Sequence, residues 1–239
     1  MNIAMIGCGW LGKPLALHLQ TKHTLSCYSR NKLLEETDLS YVYLPSLQHE
    51  FWKNELFIIA ISTKLDYLQS LKNFLSCIPS SSHIIFMSSS SVYKGYENSV
   101  DEQSPIISSS LQKDAEDLIN SYSNQVLILR LGGLMGKDRI AGNWKSSTPY
   151  IDGPVNYIHL DDIIQIVSRF IDMNLLHGVY NLVAPMHPLR STLHKNNAKQ
   201  FGFEENSYNR TTGRFVDSNK LTKELSYTFI HPDPLKFWT

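Results

Sequence analysis

The sequence predicts a doubly wound parallel α/β sheet with a small C-terminal lobe. Short apolar runs alternate with segments of helical periodicity between residues 2 and 131, and continuous apolar runs are typical of strands buried on both faces of a parallel sheet. A glycine-rich turn follows the first run, and the alternation gives way to a more polar segment near the C-terminus. Strands and helices that alternate in this way favour a doubly wound sheet.

The glycine-rich turn joins the first predicted strand to the first predicted helix. Gly7, Gly9 and Gly12 have the spacing G-x-G-x-x-G, and Pro14 lies in the first helical turn, where its missing N–H costs nothing. In this order the first glycine permits a sharp turn, the second lets the backbone approach a pyrophosphate, and the third lets the helix pack against the strand. The pattern predicts a Rossmann-type dinucleotide site at a helix N-terminus.

The end of the second predicted strand indicates which dinucleotide is bound. Sites specific for NAD carry an acidic residue about 20 positions after the glycines, where it binds the adenosine ribose. Ser29 and Arg30 occupy this region instead. A hydroxyl and a guanidinium can bind a 2′-phosphate that a carboxylate would repel. The sequence therefore predicts NADP as the cofactor, with NAD less favoured.

The remaining elements follow in order along the chain. Strands are predicted at residues 24–29, 41–44, 56–61, 83–87, 126–131 and 179–183, and later helices near 65–75, 111–122 and, with Asp161 as N-cap, 161–171. The carboxyl ends of parallel strands share one edge of a sheet, so residues that follow different strands are expected to meet there. The predicted cofactor site comprises Gly7, Gly9, Trp10, Leu11, Gly12, Ser29, Arg30, Ser62 and Ser88.

The chain is expected to form one large domain and one small C-terminal lobe. Residues 1–183 are predicted to form the Rossmann domain, with 132–160 contributing partly to the lobe, and 184–239 are predicted to form the lobe itself. The chain is expected to cross this boundary more than once. The regular pattern is expected to loosen over residues 132–139, and polar loop is expected to follow up to residue 154.

Composition limits the possible partners and location. Lys and Arg together number 22, as do Asp and Glu, so net charge gives no reason to expect nucleic acid or an anionic membrane as partner. Cys8, Cys27 and Cys77 lack metal-binding spacing, and the first two are expected to be small buried hydrophobes. No secretory signal or membrane-length apolar stretch is recognised, so we expect a cytoplasmic protein.

Several segments together resemble the extended short-chain dehydrogenase/reductase superfamily, in particular the NAD(P)-dependent epimerase and dehydratase group and its atypical, shorter members. The similar segments are the glycine motif at 7–12, Met87-Ser-Ser-Ser-Ser-Val-Tyr93, Asp101-Glu-Gln-Ser-Pro105, Arg130-Leu-Gly-Gly-Leu-Met-Gly136, Val155-Asn-Tyr-Ile-His-Leu-Asp-Asp162, residues 178–182 and the tail 221–234. The serine-Val-Tyr segment is the most specific of them.

The resemblance implies a catalytic arrangement that the sequence matches only in part. Ser89 matches the serine or threonine that hydrogen-bonds the reacting oxygen in that family. The family's Tyr-x-x-x-Lys element supplies a general acid/base, but Ser109 stands four residues before Lys113, and Lys113 is one residue out of register. A serine hydroxyl cannot replace a phenol with a tuned pKa. The candidate catalytic residues are Ser89, Lys113 and Tyr93, and Tyr157 is a further possible phenol.

Competing interpretations remain at this point. The favoured function is an NADP-dependent oxidoreductase or epimerase-like enzyme that acts on a small carbonyl or sugar-type molecule; the alternative is a non-catalytic NADP(H)-binding sensor. The opening residues also resemble β-hydroxyacid dehydrogenases, whose long helical second domain does not fit the later βα units. Helix capping explains His159 and Asp161 without catalysis. The resemblance also implies a possible homodimer through the helices that begin near residues 65 and 111.

Overall fold

The computed structural model describes residues 1–29, 40–43, 49–63, 66–95, 99–122, 125–144, 146 and 148–238. Within these ranges the chain forms thirteen strands: β1 (Asn2–Ile6), β2 (Thr24–Ser29), β3 (Ser40–Tyr43), β4 (Leu56–Ile59), β5 (His83–Ser89), β6 (Ser99–Val100), β7 (Val126–Leu131), β8 (Gly133–Met135), β9 (Tyr150–Asp152), β10 (Tyr157–His159), β11 (Gly178–Leu182), β12 (Tyr208–Thr211) and β13 (Phe215–Val216). The α-helices are α1 (Gly12–Leu19), α2 (Tyr67–Leu75), α3 (Leu111–Tyr122), α4 (Leu160–Asp172), α5 (Arg190–Phe201) and α6 (Asn219–Leu225).

Seven strands form the central sheet, in the order β11-β7-β5-β4-β1-β2-β3. The pairs β1–β2, β1–β4, β2–β3 and β4–β5 are parallel. The order of the strands reverses between β1 and β4, and this switch point is where doubly wound folds bind ligands, outside the carboxyl ends of the strands. The predicted doubly wound α/β class is confirmed.

Apolar runs give the sheet its buried character. All four residues of β4 and all six of β7 are buried, as expected of strands covered on both faces. Helix α3 packs through its middle: Ala115 and Ile119 are fully buried, whereas Leu111 and Tyr122 are 37% and 42% exposed. Both exposed residues lie at the ends of the helix.

The described chain divides into two compact units, each built from several segments. The first unit contains residues 1–88, 108–129 and 168–179, and the second contains 89–107, 130–167 and 180–239. Three parallel strand pairs hold the second unit together, namely β8–β10, β9–β12 and β6–β13. This division differs from the predicted limit at residue 183, because β6 and β9 pair with strands β13 and β12 of the C-terminal part of the chain.

Two local expectations need correction in the second unit. The segment 132–154, for which a loosened pattern and then polar loop were predicted, contains β8 and β9. Helix α4 begins at Leu160, so Asp161 lies in its first turn and is not the N-cap. The N–H of Asp161 instead donates to Nδ1 of His159 at 3.2 Å, and the histidine that precedes the helix provides a side-chain acceptor at its start.

Candidate functional site

Gly7 fixes the turn that follows β1. Its φ of +105° lies in the region that favours glycine, and a Cβ there would approach the carbonyl oxygen of Ala60 to 2.5 Å. Its N–H donates to the carbonyl oxygen of Tyr28 at 3.1 Å. The turn therefore lies against the carboxyl ends of β2 and β4, beside the switch point.

The other two glycines have opposite surroundings. A Cβ on Gly12 would overlap the carbonyl oxygen of Gly7, so the start of α1 packs tightly against the turn. A Cβ on Gly9 would meet no heavy atom of the described residues within 4 Å. Gly9 is exposed, Trp10 is half-buried and Leu11 is buried. The middle glycine is therefore the point at which another molecule can approach the backbone.

The N-terminus of α1 suits an anion. It has no side-chain cap and no acidic residue in its first turn. Backbone N–H groups and the helix dipole there favour negative charge. Together with the opening at Gly9, this arrangement fits the diphosphate of a dinucleotide.

The other predicted cofactor residues lie at the ends of neighbouring parallel strands in the first unit. Ser29 is the half-buried last residue of β2, and Ser62 is exposed just after β4. Ser88 is buried near the end of β5, where its hydroxyl donates to Oε1 of Glu116 at 2.5 Å. Arg30, the predicted 2′-phosphate ligand, lies outside the described residues. The buried Glu116 carries no sequence signal that would have identified it.

Cys8, in the glycine turn, and Cys27, in β2, are both buried unpaired cysteines. A hydrogen bond with the Cys27 thiol, together with burial, raises the pKa of Cys8. A protonated thiol is a poor nucleophile and a poor metal ligand. The interpretation of these residues as small buried hydrophobes agrees with their placement.

A cavity of about 400 Å³ opens at the opposite edge of the first unit. Its lining includes Met1, Glu55 and His83, which lie at the amino ends of β1, β4 and β5. Doubly wound sheets bind ligands at their carboxyl ends. We therefore do not assign this cavity to the cofactor or the substrate.

Lys113 lies in the first turn of α3. Its ammonium group forms an ion pair with Asp117, one turn further along the helix, and its N–H donates to the Ser110 hydroxyl at 3.1 Å. Ser109 is exposed just before the helix. These contacts are those of an ordinary partly exposed helix residue.

Ser89, the last residue of β5, belongs to the second unit. Its hydroxyl accepts the N–H of Ser91 at 3.2 Å and so caps a one-turn 3-10 helix at Ser90–Val92. This contact uses the hydroxyl oxygen as an acceptor. A half-buried serine in this position can still donate its proton to an oxygen of a substrate.

Tyr93 is fully buried in the second unit. Its hydroxyl donates to Oδ1 of Asn181 at 2.6 Å and accepts from Nη1 of Arg130 at 3.1 Å. Burial raises the pKa of its phenol. Both polar partners and the burial make Tyr93 a core residue, and we do not carry it forward as an acid or base. Tyr157 is also buried, which raises the pKa of its phenol.

A histidine pair in the second unit was not identified from the sequence. The rings of His159 and His231 lie with their centroids 3.8 Å apart, beside the carboxylate of Asp161. Burial and the neighbouring His231 lower the pKa of His159. About 70 residues separate the two histidines, so no spacing in the sequence could have paired them.

Comparisons with known proteins extend over nearly the whole chain. No protein-family model matches it. Protein YeeZ from Escherichia coli (strain K12) is 28% identical over an alignment of 270 residues that covers 98% of this chain and 97% of YeeZ. Among solved structures, a protein classed as an NAD-dependent epimerase/dehydratase from Methylobacillus flagellatus superposes with a TM-score of 0.81 at 22% identity, over 99% of this chain and 96% of that one. The fold is that of the NAD-dependent epimerase and dehydratase proteins.

Two further structures of this fold contain dinucleotides. UDP-glucuronic acid 4-epimerase from Bacillus cereus, in complex with NAD, has a TM-score of 0.75 at 14% identity, over 99% of this chain and 97% of that one. The human epimerase family protein SDR39U1 (isoform 2), with NADPH, has a TM-score of 0.72 at 13% identity over the same shares. Both forms of the cofactor therefore occur on this fold. None of the helices in the described ranges has the length and apolar character needed to cross a bilayer.

Proposed function

We propose that this protein is an NADP-dependent oxidoreductase or epimerase-like enzyme that acts on a small carbonyl or sugar-type molecule. The observation that carries the proposal is the open approach to Gly9 between two closely packed glycines, next to an uncapped helix N-terminus. The dinucleotides bound by two structures of the same fold give further support.

Each part of the turn has its own role in holding the cofactor. Gly9 lets the diphosphate approach the backbone, and the N–H groups at the start of α1 bind its oxygens. Ser29 and Arg30 are the proposed ligands of the 2′-phosphate, and Ser62 is the proposed contact of the adenosine side. When bound, the nicotinamide supplies hydride transfer.

Ser89 is the proposed positioning group for the substrate. Its hydroxyl donates a hydrogen bond to the reacting oxygen and so fixes the orientation of the carbonyl or alcohol. With Ser109 in the place of the family's tyrosine, the site differs from the usual one, and we assign no general acid. We propose that the enzyme works in the cytoplasm, which agrees with its unpaired cysteines, Cys8, Cys27 and Cys77.

Cofactor binding is tested by two glycine variants with opposite expected effects. Gly9→Ala adds a methyl group that would meet none of the described residues within 4 Å, so stability should be retained while NADPH binding falls at least tenfold. Gly202→Ala follows α5 at a φ of +73°, so stability should fall by about 1 kcal/mol while binding is retained. Calorimetric titration and thermal unfolding measure both. Full NADPH affinity in Gly9→Ala would contradict the proposed diphosphate site.

Cofactor preference is tested by thermal shift with NADPH, NADP, NADH and NAD. The phosphorylated pair should stabilise the protein more, and Arg30→Ala should remove the difference by removing the cation beside the 2′-phosphate. Equal stabilisation by all four compounds would refute the NADP assignment.

Catalysis is tested by following NADPH absorbance with carbonyl compounds and nucleotide sugars. Ser89→Ala should lower turnover, whereas Ser91→Ala should not, because Ser91 is exposed and contributes its backbone N–H to the local hydrogen bond. Unchanged turnover in Ser89→Ala would remove the role proposed for Ser89.

A second candidate function is a non-catalytic NADP(H) sensor. It is favoured by Ser109 in place of the tyrosine and by the full burial of the Tyr93 phenol. In this case NADPH would bind as predicted, but no compound in the screen would be turned over.

A further inference from the structure

We propose that His159, Asp161 and His231 form a binding site for a transition-metal cation, with Zn²⁺ as the expected ion. The three side chains each offer one ligand atom, and these atoms lie within 4.8 Å of one another. No other group of three such residues occurs in the part of the chain that the structure describes. This proposal is independent of the proposed cofactor and reaction.

The distances from the carboxylate suit a tetrahedral ion. Oδ2 of Asp161 lies 3.5 Å from Nδ1 of His159 and 3.4 Å from Nε2 of His231. Zinc binds nitrogen and carboxylate oxygen at about 2.0–2.2 Å, which places tetrahedral ligands about 3.3–3.6 Å apart. The two measured separations therefore match two edges of such a site. Two imidazoles and a carboxylate suit zinc better than magnesium or calcium, which prefer oxygen ligands.

The backbone around the cluster is held firmly by the next residue along, Asp162. Its fully buried carboxylate accepts the N–H groups of Ile230 and His231 at 2.7 and 3.0 Å and the Tyr227 hydroxyl at 2.8 Å. These bonds fix His231 beside the first turn of α4, which carries Asp161. The ligands are thus assembled by buried hydrogen bonds before any ion arrives.

Access and protonation also suit a metal. The Asp161 side chain is 53% exposed and that of His231 is 25% exposed, so water can fill a fourth position.

Nδ1 of His159 accepts the N–H of Asp161 at 3.2 Å, so this atom carries a lone pair and not a proton. That contact is at the long end of hydrogen-bond distances, and an ion can replace it. Two imidazoles that share an ion splay apart around it, so we expect His231, the more exposed ring, to move outward on binding.

The test uses the full chain after treatment with a chelator, titrated calorimetrically with ZnCl₂ and, in parallel, with MgCl₂. We expect one zinc ion per chain and no comparable magnesium binding. Co²⁺ should give the visible absorption spectrum of a four-coordinate nitrogen and oxygen site. At a zinc concentration about 100 times the Kd, the melting temperature should rise by roughly 5–10 °C.

Two ligand variants and one control locate the ion. His231→Gln and Asp161→Asn should each weaken zinc binding by at least the ~10–100-fold that loss of a supporting group around a metal costs. His177→Gln removes an exposed histidine of the first unit and should leave binding unchanged. If His231→Gln fails to fold, the Asp161→Asn variant alone tests the site, because the Asp161 side chain is about half exposed.

Each possible result of the zinc titrations supports or overturns the proposed site. Zinc binding that is equal in wild type and in the two ligand variants would overturn the proposal, as would binding no tighter than that of magnesium. Loss of zinc binding in the ligand variants with normal NADPH binding would support it and would show that the two sites are separate. Failure of NADPH binding alone would concern only the proposed function.

Discussion

Asp162 provides the sharpest test of how the C-terminal segment is held. It is fully buried and accepts three hydrogen bonds, from the Tyr227 hydroxyl, the N–H of Ile230 and the N–H of His231. Burial and the bond to this carboxylate raise the pKa of Tyr227, so its phenol remains a donor. Replacement by alanine leaves all three donors without this acceptor.

The expected cost follows from the number of donors. A buried donor that loses its partner costs about 1–3 kcal/mol. Removal of the carboxylate recovers part of the desolvation penalty of a buried charge. Asp162→Ala should therefore lower the free energy of unfolding by roughly 4–6 kcal/mol. Asp162→Asn keeps one acceptor oxygen but turns an amide N–H₂ towards a donor, so its cost should be roughly 2–4 kcal/mol.

A double-mutant cycle isolates the bond to the hydroxyl. Tyr227→Phe should cost about 1.5–3 kcal/mol in the wild type and much less in the Asp162→Ala background, where the carboxylate is already gone. Tyr208→Phe is the matched control, because the Tyr208 hydroxyl is buried and has no hydrogen-bond partner among the described residues. It should cost little and add to the Asp162 variants without coupling. Urea denaturation followed by circular dichroism gives all the values.

A coupling energy near zero between positions 162 and 227 would contradict the hydrogen bond between these two side chains. The same would follow if Tyr208→Phe coupled to Asp162→Ala as strongly as Tyr227→Phe does. Either result would mean that the Asp162 carboxylate does not accept the described hydrogen bond from the Tyr227 hydroxyl.

Three further predictions concern the turn, a buried histidine and the buried tyrosine. Gly7→Ala should cost about 2–4 kcal/mol of stability, because it combines a φ of +105° with a close carbonyl oxygen. Gly95→Ala, at a φ of +80° and with no described heavy atom within 4 Å of the new Cβ, should cost about 1 kcal/mol. A similar cost for both would show that the close approach is irrelevant. Burial lowers the pKa of His194 to about 4, below its value of about 6.5 in the unfolded chain. The free energy of unfolding should therefore be highest above pH 6.5 and fall by about 2 kcal/mol between pH 6.5 and 5. His194→Phe should remove this pH dependence, as measured by urea denaturation. Retention of the slope would exclude His194 as its source. Tyr93→Phe should lower the melting temperature, because Asn181 loses its donor, without changing any turnover that is found; a selective loss of turnover would return Tyr93 to the reaction.

The central sheet could be predicted because its signals are local. The apolar run of β1, the glycines after it and the leucine spacing of α1 all lie within one stretch of chain, and each agrees with the others. The end of the second strand was predicted at residue 29, where β2 ends. In these segments burial on both faces of the sheet demands apolar residues, so the sequence carries the pattern directly.

The second unit was harder to predict because its strands are short and their partners are distant. Strand β6 has two residues and pairs with β13, and β9 has three and pairs with β12. Two or three residues are too few to show an alternation. Packing supplies what the local pattern lacks: Val92, Val100, Val183 and Val216 share one buried cluster although they span much of the chain.

Asp161 and Asp162 show, within a single site, the same limit on what can be predicted from the sequence. The two residues are adjacent and chemically identical; helix capping was the role predicted for Asp161, and no separate role was predicted for Asp162. In the fold, Asp162 is fully buried and accepts bonds from residues 65 to 69 positions away, whereas Asp161 is half exposed beside two imidazoles. Helix periodicity separates adjacent residues by about 100°, which is enough to place one carboxylate in the core and the other in solvent. Which aspartate enters the core depends on where the distant segment 227–231 crosses the helix, and that information is carried by tertiary packing.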